Sequence, residues 1–157
     1  RVASRGLGDV YKRQMLCYRT PQSLKFRFDR TINKDQNKFN VETWMLYHGD
    51  KLASRFDIRA YKSMNHLLGT VNICHQRDSF ETLVEKITGN IFLVSIDTDL
   101  FFTHEDNRDT YRRLLDVKPN VFFKTINSIH GHDAFLIEHD QLINLLQEVF
   151  TPIQGHV

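Results

Sequence analysis

Apolar residues recur along this chain in two different periods, and the change from one to the other divides it. Between Val41 and Leu52, Trp44, Met45, Tyr47 and Leu52 stand in an otherwise polar segment, and Tyr61, Met64, Leu67, Leu68 and Val71 repeat a three-to-four spacing further on. Both segments predict amphipathic helices whose aromatic and methionine stripes serve as core or as a subunit interface. A third helical stretch runs from about Phe80 to Ile87 and ends before Gly89. The period then collapses into a short continuous apolar run, Ile91-Phe92-Leu93-Val94-Ser95-Ile96, which predicts a strand buried on both faces of a parallel sheet. Thr103-His104-Glu105-Asp106 resembles a capping box and opens a helix with Tyr111, Leu114 and Leu115 inward, stopped by Pro119. Val121 to Ile126 forms the next strand, and Leu142, Leu145, Leu146, Val149 and Phe150 mark a final helix. The predicted order is helices first, then strand, helix, strand, loop and helix: an α/β architecture of parallel strands with flanking helices.

The N-terminal region breaks this pattern. Residues 1–14 hold two glycines and several basic residues, with no period that connects them to the rest of the chain. They resemble a translated adaptor sequence, so a non-native leader that packs against nothing is expected there, with the native part beginning near Met15; a mobile N-terminal arm is the alternative. From Met15 to about Asn40 the chain is polar and basic, and Thr20-Pro21 marks a boundary followed by a short helix and a loop.

Composition narrows the class. The chain has 157 residues, 41% hydrophobic and 25% charged, which suits one ordinary globular core. No run approaches the roughly 18 apolar residues of a membrane helix, so a cytoplasmic location is the default expectation. Cys17 and Cys74 lie far apart and outside any metal or redox spacing, and no bound cofactor is implied. A formal charge of +2 without a basic block gives no electrostatic reason to expect nucleic acid.

In open α/β sheets functional groups collect beyond the carboxyl ends of strands. Asp97-Thr98-Asp99 comes after the first strand, and Ser128-Ile129-His130-Gly131-His132-Asp133 after the second. A carboxylate and then a histidine, separated by one helix and one strand, is the chain order of the acid and base in a Ser–Asp–His triad of α/β hydrolases. Two other readings stay open on the residues alone. The aspartates can cap the next helix, and His130 and His132 with Asp99 can chelate a metal.

Longer blocks carry a more specific likeness. Tyr47-His48-Gly49-Asp50-Lys51-Leu52-Ala53-Ser54-Arg55-Phe56-Asp57, then Ser95 to Phe102, then Gly131-His132-Asp133-Ala134-Phe135-Leu136, resemble successive blocks of the homoserine O-acetyltransferase family, and Met15-Leu16-Cys17-Tyr18-Arg19-Thr20-Pro21 resembles the block that precedes them. The resemblance implies the C-terminal part of an α/β-hydrolase fold, with lid-domain helices over residues 15–88 and the core over 89–157. It implies Asp99 as triad acid, His132 as triad base, Asp133 as the contact for the homoserine amino group, and Asp97 as a mere neighbour. It also implies acetyl-CoA and L-homoserine as substrates, a homodimer through the lid helices, and a place in methionine biosynthesis. Thr103 departs from the family, which often has proline there. No Gly-x-Ser-x-Gly occurs among the seven glycines, so the nucleophile is expected upstream of Met15. The arginine that binds the substrate carboxylate in the family would fall near Tyr11, and neither Arg13 nor Arg19 is expected to replace it. A serine hydrolase of the same fold, a succinyl-transferring or serine-accepting relative, and a non-catalytic interaction module are the competing classes.

Overall fold

The computed structural model describes residues 2–150. Helix α1 spans Val2–Cys17, α2 Pro21–Phe28, α3 Asn40–Arg55, α4 Ile58–Thr70, α5 Phe80–Glu85, α6 His104–Leu115 and α7 His139–Phe150. A two-residue hairpin, β1 Ile32–Asn33 with β2 Lys38–Phe39, lies between α2 and α3, and β3 Ile91–Ile96 pairs with β4 Val121–Ile126.

Four helices, α2, α4, α5 and α6, start where a short polar side chain takes a free N–H group of the first turn. Thr20 accepts from Ser23 N at 3.0 Å with Pro21 at the first helical position of α2. Asp57 caps α4 and Ser79 caps α5. Thr103 accepts from Asp106 N at 3.2 Å at the start of α6, as the capping pattern predicts. The hairpin has no counterpart in the predicted elements. Its turn is local: Asn33 Oδ1 accepts from the backbone of Asp35 and of Gln36, each at 3.1 Å, and Asn37 takes a φ of 48°.

β3 and β4 are parallel and in register, from Ile91 opposite Val121 to Ile96 opposite Ile126. Phe92 and Phe122 stack across the pair with ring centres 4.8 Å apart. Two small cores hold the unit. Val84, Leu114 and Val121 form one, with Phe80, Ile91, Leu93 and Tyr111 around them. Ile96, Ile126 and Ala134 form the other against Leu142 and Leu145 of α7. Full burial of a side chain such as Ile126 contributes about 1.5–3 kcal/mol. The second core lies directly beneath the strand ends and so fixes the height of the loops above it.

Three expectations about burial are corrected. β3 is not covered on both faces: Ser95 and Ile96 are buried, but Val94 is 40% exposed, because β3 has only one strand beside it among the described residues. Leu115 faces outward rather than inward. For the apolar stripe of α4, expected as core or as a subunit interface, only the core alternative is removed, since Met64, Leu67, Leu68 and Val71 are all exposed. Residues 2–14 also differ from expectation. They lie in α1, which packs along α3 with Gly8 against Gly49, where a Cβ on Gly8 would stand 3.1 Å from the Gly49 carbonyl oxygen. Glycines at this crossing allow close approach of the two helix backbones. Among the described residues no helix is long and apolar enough to cross a membrane.

Candidate active site

The candidate site forms where β3 and β4 end side by side. Thr98 Oγ1 donates to the Ser128 carbonyl at 2.5 Å and accepts from Gly131 N at 3.1 Å, while Asp97 Oδ1 accepts from Ser128 N at 2.9 Å. Asp97 and Thr98 therefore stitch one strand-end loop to the other. Asp97 Oδ1 is thus engaged by backbone of the second loop.

Asp99 is buried, and its two oxygens do different work. Oδ1 accepts from Phe101 N at 2.7 Å and from Phe102 N at 3.0 Å, which fixes the carboxylate plane. Oδ2 lies 2.8 Å from His132 Nδ1. Asp99 thus caps its own loop with one oxygen and faces His132 with the other, while the next helix, α6, is capped by Thr103 and not by an aspartate. With Nδ1 directed at a carboxylate, the proton of the imidazole belongs on Nδ1, and Nε2 remains for a hydroxyl.

His132 reaches Asp99 because the chain reverses at Gly131, whose φ is +67°. A side chain there would be strained by that angle and would also stand 3.1 Å from the Tyr18 carbonyl oxygen. The loop then runs through a 3-10 turn, Gly131–Leu136, that carries His132 and Asp133. Rings surround the imidazole, with Tyr18 centred 5.2 Å away, Phe101 and Phe102 each at 5.5 Å, and Phe135 at 6.0 Å. Burial raises the Tyr18 hydroxyl above its usual value, with lesser contributions from Tyr61 and Tyr11, so this ring stays neutral beside the histidine. A cavity of about 320 Å³ opens onto the pair, lined by Ser95, Asp99, Phe102, Asn107, His132 and Phe135 among others.

The neighbouring histidine goes elsewhere. His130 Nδ1 lies 2.8 Å from the buried Ser23 Oγ of α2, and Ser128 Oγ, which accepts from His130 N, donates to Glu138 at 2.6 Å. That hydrogen bond, followed by one from Gln141 and the charge of His130, lowers the Glu138 carboxyl below its ordinary value. Among the described residues no group of three or more His, Cys, Asp and Glu is arranged to hold a metal ion. His130 is a tie between α2 and the loop, while His132 faces Asp99.

Two features escape a reading of the sequence. The aromatic collar is signalled only by Phe101-Phe102 just after the strand-end acid. Arg19 has no local signal: its Nε lies 2.9 Å from Asp133 Oδ2, and both side chains are largely buried. The Nε–H does not point along that line, so the contact is an ion pair in which this N–H makes no hydrogen bond.

A parallel strand pair with an acid and a histidine joined across the two strand ends is a partial α/β-hydrolase fold. A crystal structure of an esterase superposes with a TM-score of 0.65 over 91% of this chain and 41% of its own, at 15% identity, and a point mutant of that esterase with a TM-score of 0.63 at 16% identity. No protein-family model matches the chain. In sequence it is similar to homoserine O-acetyltransferases. That of Chloroherpeton thalassium is 32% identical over 141 residues, 90% of this chain and 36% of the relative. That of Cyclobacterium marinum is 29% identical over 154 residues, covering 98% of this chain and 42% of the relative, and that of Methanococcus vannielii is 30% identical over 142 residues, 85% and 28%. The chain thus spans about two-fifths or less of the length of these relatives, and the family resemblance extends over most of the chain.

Proposed function

We propose that this chain supplies the acid and the base of an acyltransferase that moves an acetyl group from acetyl-CoA to the hydroxyl of L-homoserine. The observation that carries the reading is the 2.8 Å approach of His132 Nδ1 to Asp99 Oδ2, in a chain similar to homoserine O-acetyltransferases over nine-tenths of its length. The nucleophile is a serine supplied by protein outside these residues. His132 Nε2 takes the serine proton as the oxygen attacks the thioester carbonyl, and returns it to the departing CoA sulfur. The homoserine hydroxyl then gives its proton to Nε2 as it attacks the acyl-enzyme, and that proton goes back to the serine oxygen as O-acetylhomoserine leaves. Asp99 holds the tautomer that makes Nε2 basic and stabilises the imidazolium between steps. Asp133 faces the acceptor ammonium through a charge-assisted contact. The aromatic collar supports transfer over hydrolysis by limiting water around the acyl group.

The same reading assigns residues 15–88 to a lid and 89–157 to the core, of which 151–157 lie outside the described residues, and a homodimer through the lid helices, supported by the exposed apolar stripe of α4. It makes the enzyme cytoplasmic and part of methionine biosynthesis. A serine hydrolase is the second reading, favoured by the likeness to esterase structures. One assay separates the two. A full-length enzyme containing this chain is given acetyl-CoA with and without homoserine, and O-acetylhomoserine and free acetate are both measured. Transfer is expected to dominate. Acetate release at the same rate in both conditions refutes the transferase.

A further inference from the structure

The loop that carries His132 is held from two sides, and the two holds meet at His130. From α2, Thr20 Oγ1 donates to the Ile129 carbonyl, and Ser23 Oγ lies 2.8 Å from His130 Nδ1. Thr20 also accepts from Ser23 N, so the two hydroxyls are fixed relative to each other by the helix cap. From α7, Glu138 accepts from Ser128 Oγ at 2.6 Å, and that same oxygen accepts from His130 N at 3.1 Å. Gln141 accepts from Asn127 N at 3.1 Å and donates to the Asn127 carbonyl at 2.9 Å, which fixes the start of the loop. Ser23 is 1% exposed. A hydroxyl buried so deeply is costly without a partner, and the imidazole of His130 supplies one.

We infer, on the reading of His132 as the base proposed above, that His130 is a positioning residue for it. Pinned by its side chain to α2 and by its backbone to Ser128 and α7, His130 sets the point from which His132 presents Nε2. Only Gly131 separates the two histidines, and its φ of +67° supplies the reversal without supplying stiffness. The contact of His132 Nδ1 with Asp99 is a single hydrogen bond at 2.8 Å, about which the ring can still swing. What stops the swing is the backbone on either side: His130 before the glycine, and after it Asp133 N, which donates to the Tyr18 carbonyl at 3.3 Å. Release of His130 leaves the longer of these holds to act alone. A shift of about 1 Å at the base is enough to slow proton transfer by about a hundredfold. The position of α2 is thereby passed to the base through one side chain.

The test follows the acyl-enzyme burst in a full-length enzyme containing this chain, mixed with acetyl-CoA without homoserine. The burst amplitude counts the sites that still fold, and its rate constant reports the base. His130→Ala is expected to lower the rate constant by about ten- to a hundredfold per titrated site, and Ser23→Ala to lower it in the same direction. The pin runs through Nδ1, two bonds beyond Cβ. Asparagine carries its amide at that distance and can donate to or accept from Ser23, whereas glutamine carries it one bond further out. His130→Asn is therefore expected to recover most of the rate constant and His130→Gln little of it. An amplitude that falls while the rate constant keeps its parental value shows a structural role and overturns the inference. Where His130→Ala leaves too little burst to time, the other two variants decide: equal rate constants for asparagine and glutamine overturn it as well. A parent enzyme without any burst overturns the proposed function and this inference together.

Discussion

Replacing Asp99 by asparagine changes one atom of the site and tests the assignment of the acid. The carboxylate has two tasks, and asparagine can keep only one. Its amide oxygen can still accept from Phe101 N and Phe102 N, now at 2.7 and 3.0 Å, so the loop should hold and the stability loss should stay near 1 kcal/mol. The amide nitrogen then faces His132 Nδ1 where Oδ2 stood at 2.8 Å. Being a donor, it favours the imidazole with its hydrogen on Nε2, the wrong nitrogen for a base. Loss of the tautomer and of the charge that stabilises the imidazolium costs about 10⁴ in kcat, or about 5.5 kcal/mol of transition-state stabilisation. Asp99→Ala removes the loop contacts too and should add about 2–3 kcal/mol of destabilisation. The assay has two parts: nitrogen-15 NMR of the imidazole to read the tautomer in the chain, and acetyl transfer in a full-length enzyme that contains it. If Asp99→Asn leaves the hydrogen on Nδ1, or lowers kcat by less than about tenfold, Asp99 is a loop cap and not the triad acid.

The same geometry sets other expected outcomes. Asp133→Ala in the full-length enzyme should cost about 2–4 kcal/mol in kcat/KM for homoserine, yet leave the acyl-enzyme burst from acetyl-CoA nearly intact, because homoserine enters only the second half-reaction; equal damage to both halves would show that the residue serves the fold. The 157-residue chain by itself should transfer no acetyl group, since acid and base only activate a nucleophile held elsewhere, and turnover at an ordinary enzymic rate would refute this. Gly131→Ala should destabilise the protein by about 1–3 kcal/mol in urea unfolding, from the positive φ and the blocked approach to Tyr18; an unchanged midpoint would contradict it. Glu138 has a folded-state pKa below its ordinary value of 4.5, so its contribution to stability is present above that pH and is lost as pH falls through the lower folded value. Ser128→Ala should remove that acid-side loss; persistence of the full loss in the variant would place its origin elsewhere.

Much of the framework is legible in the chain. The continuous run Ile91 to Ile96, the capping residues at Thr103 and the apolar period of α7 are local signals, because strand, cap and helix are decided by residues a few positions apart. The spacing from Asp99 to His132 equals one helix and one strand, and the parallel register turns it into a contact. The hidden features depend on partners distant in sequence. Nothing local separates Asp97 from Asp99, or His130 from His132; the resemblance ranks them, and the fold sends Asp97 to Ser128, Asp99 to His132 and His130 to Ser23. The apolar pattern overstates burial at Val94, at Leu115 and along α4, because an apolar period announces a face that seeks cover without saying whether this chain supplies it. Arg19 is the clearest case. A basic residue in a basic stretch carries no mark of its own, and only the docking of the α1–α2 junction on the Gly131 loop turns it into the buried partner of Asp133.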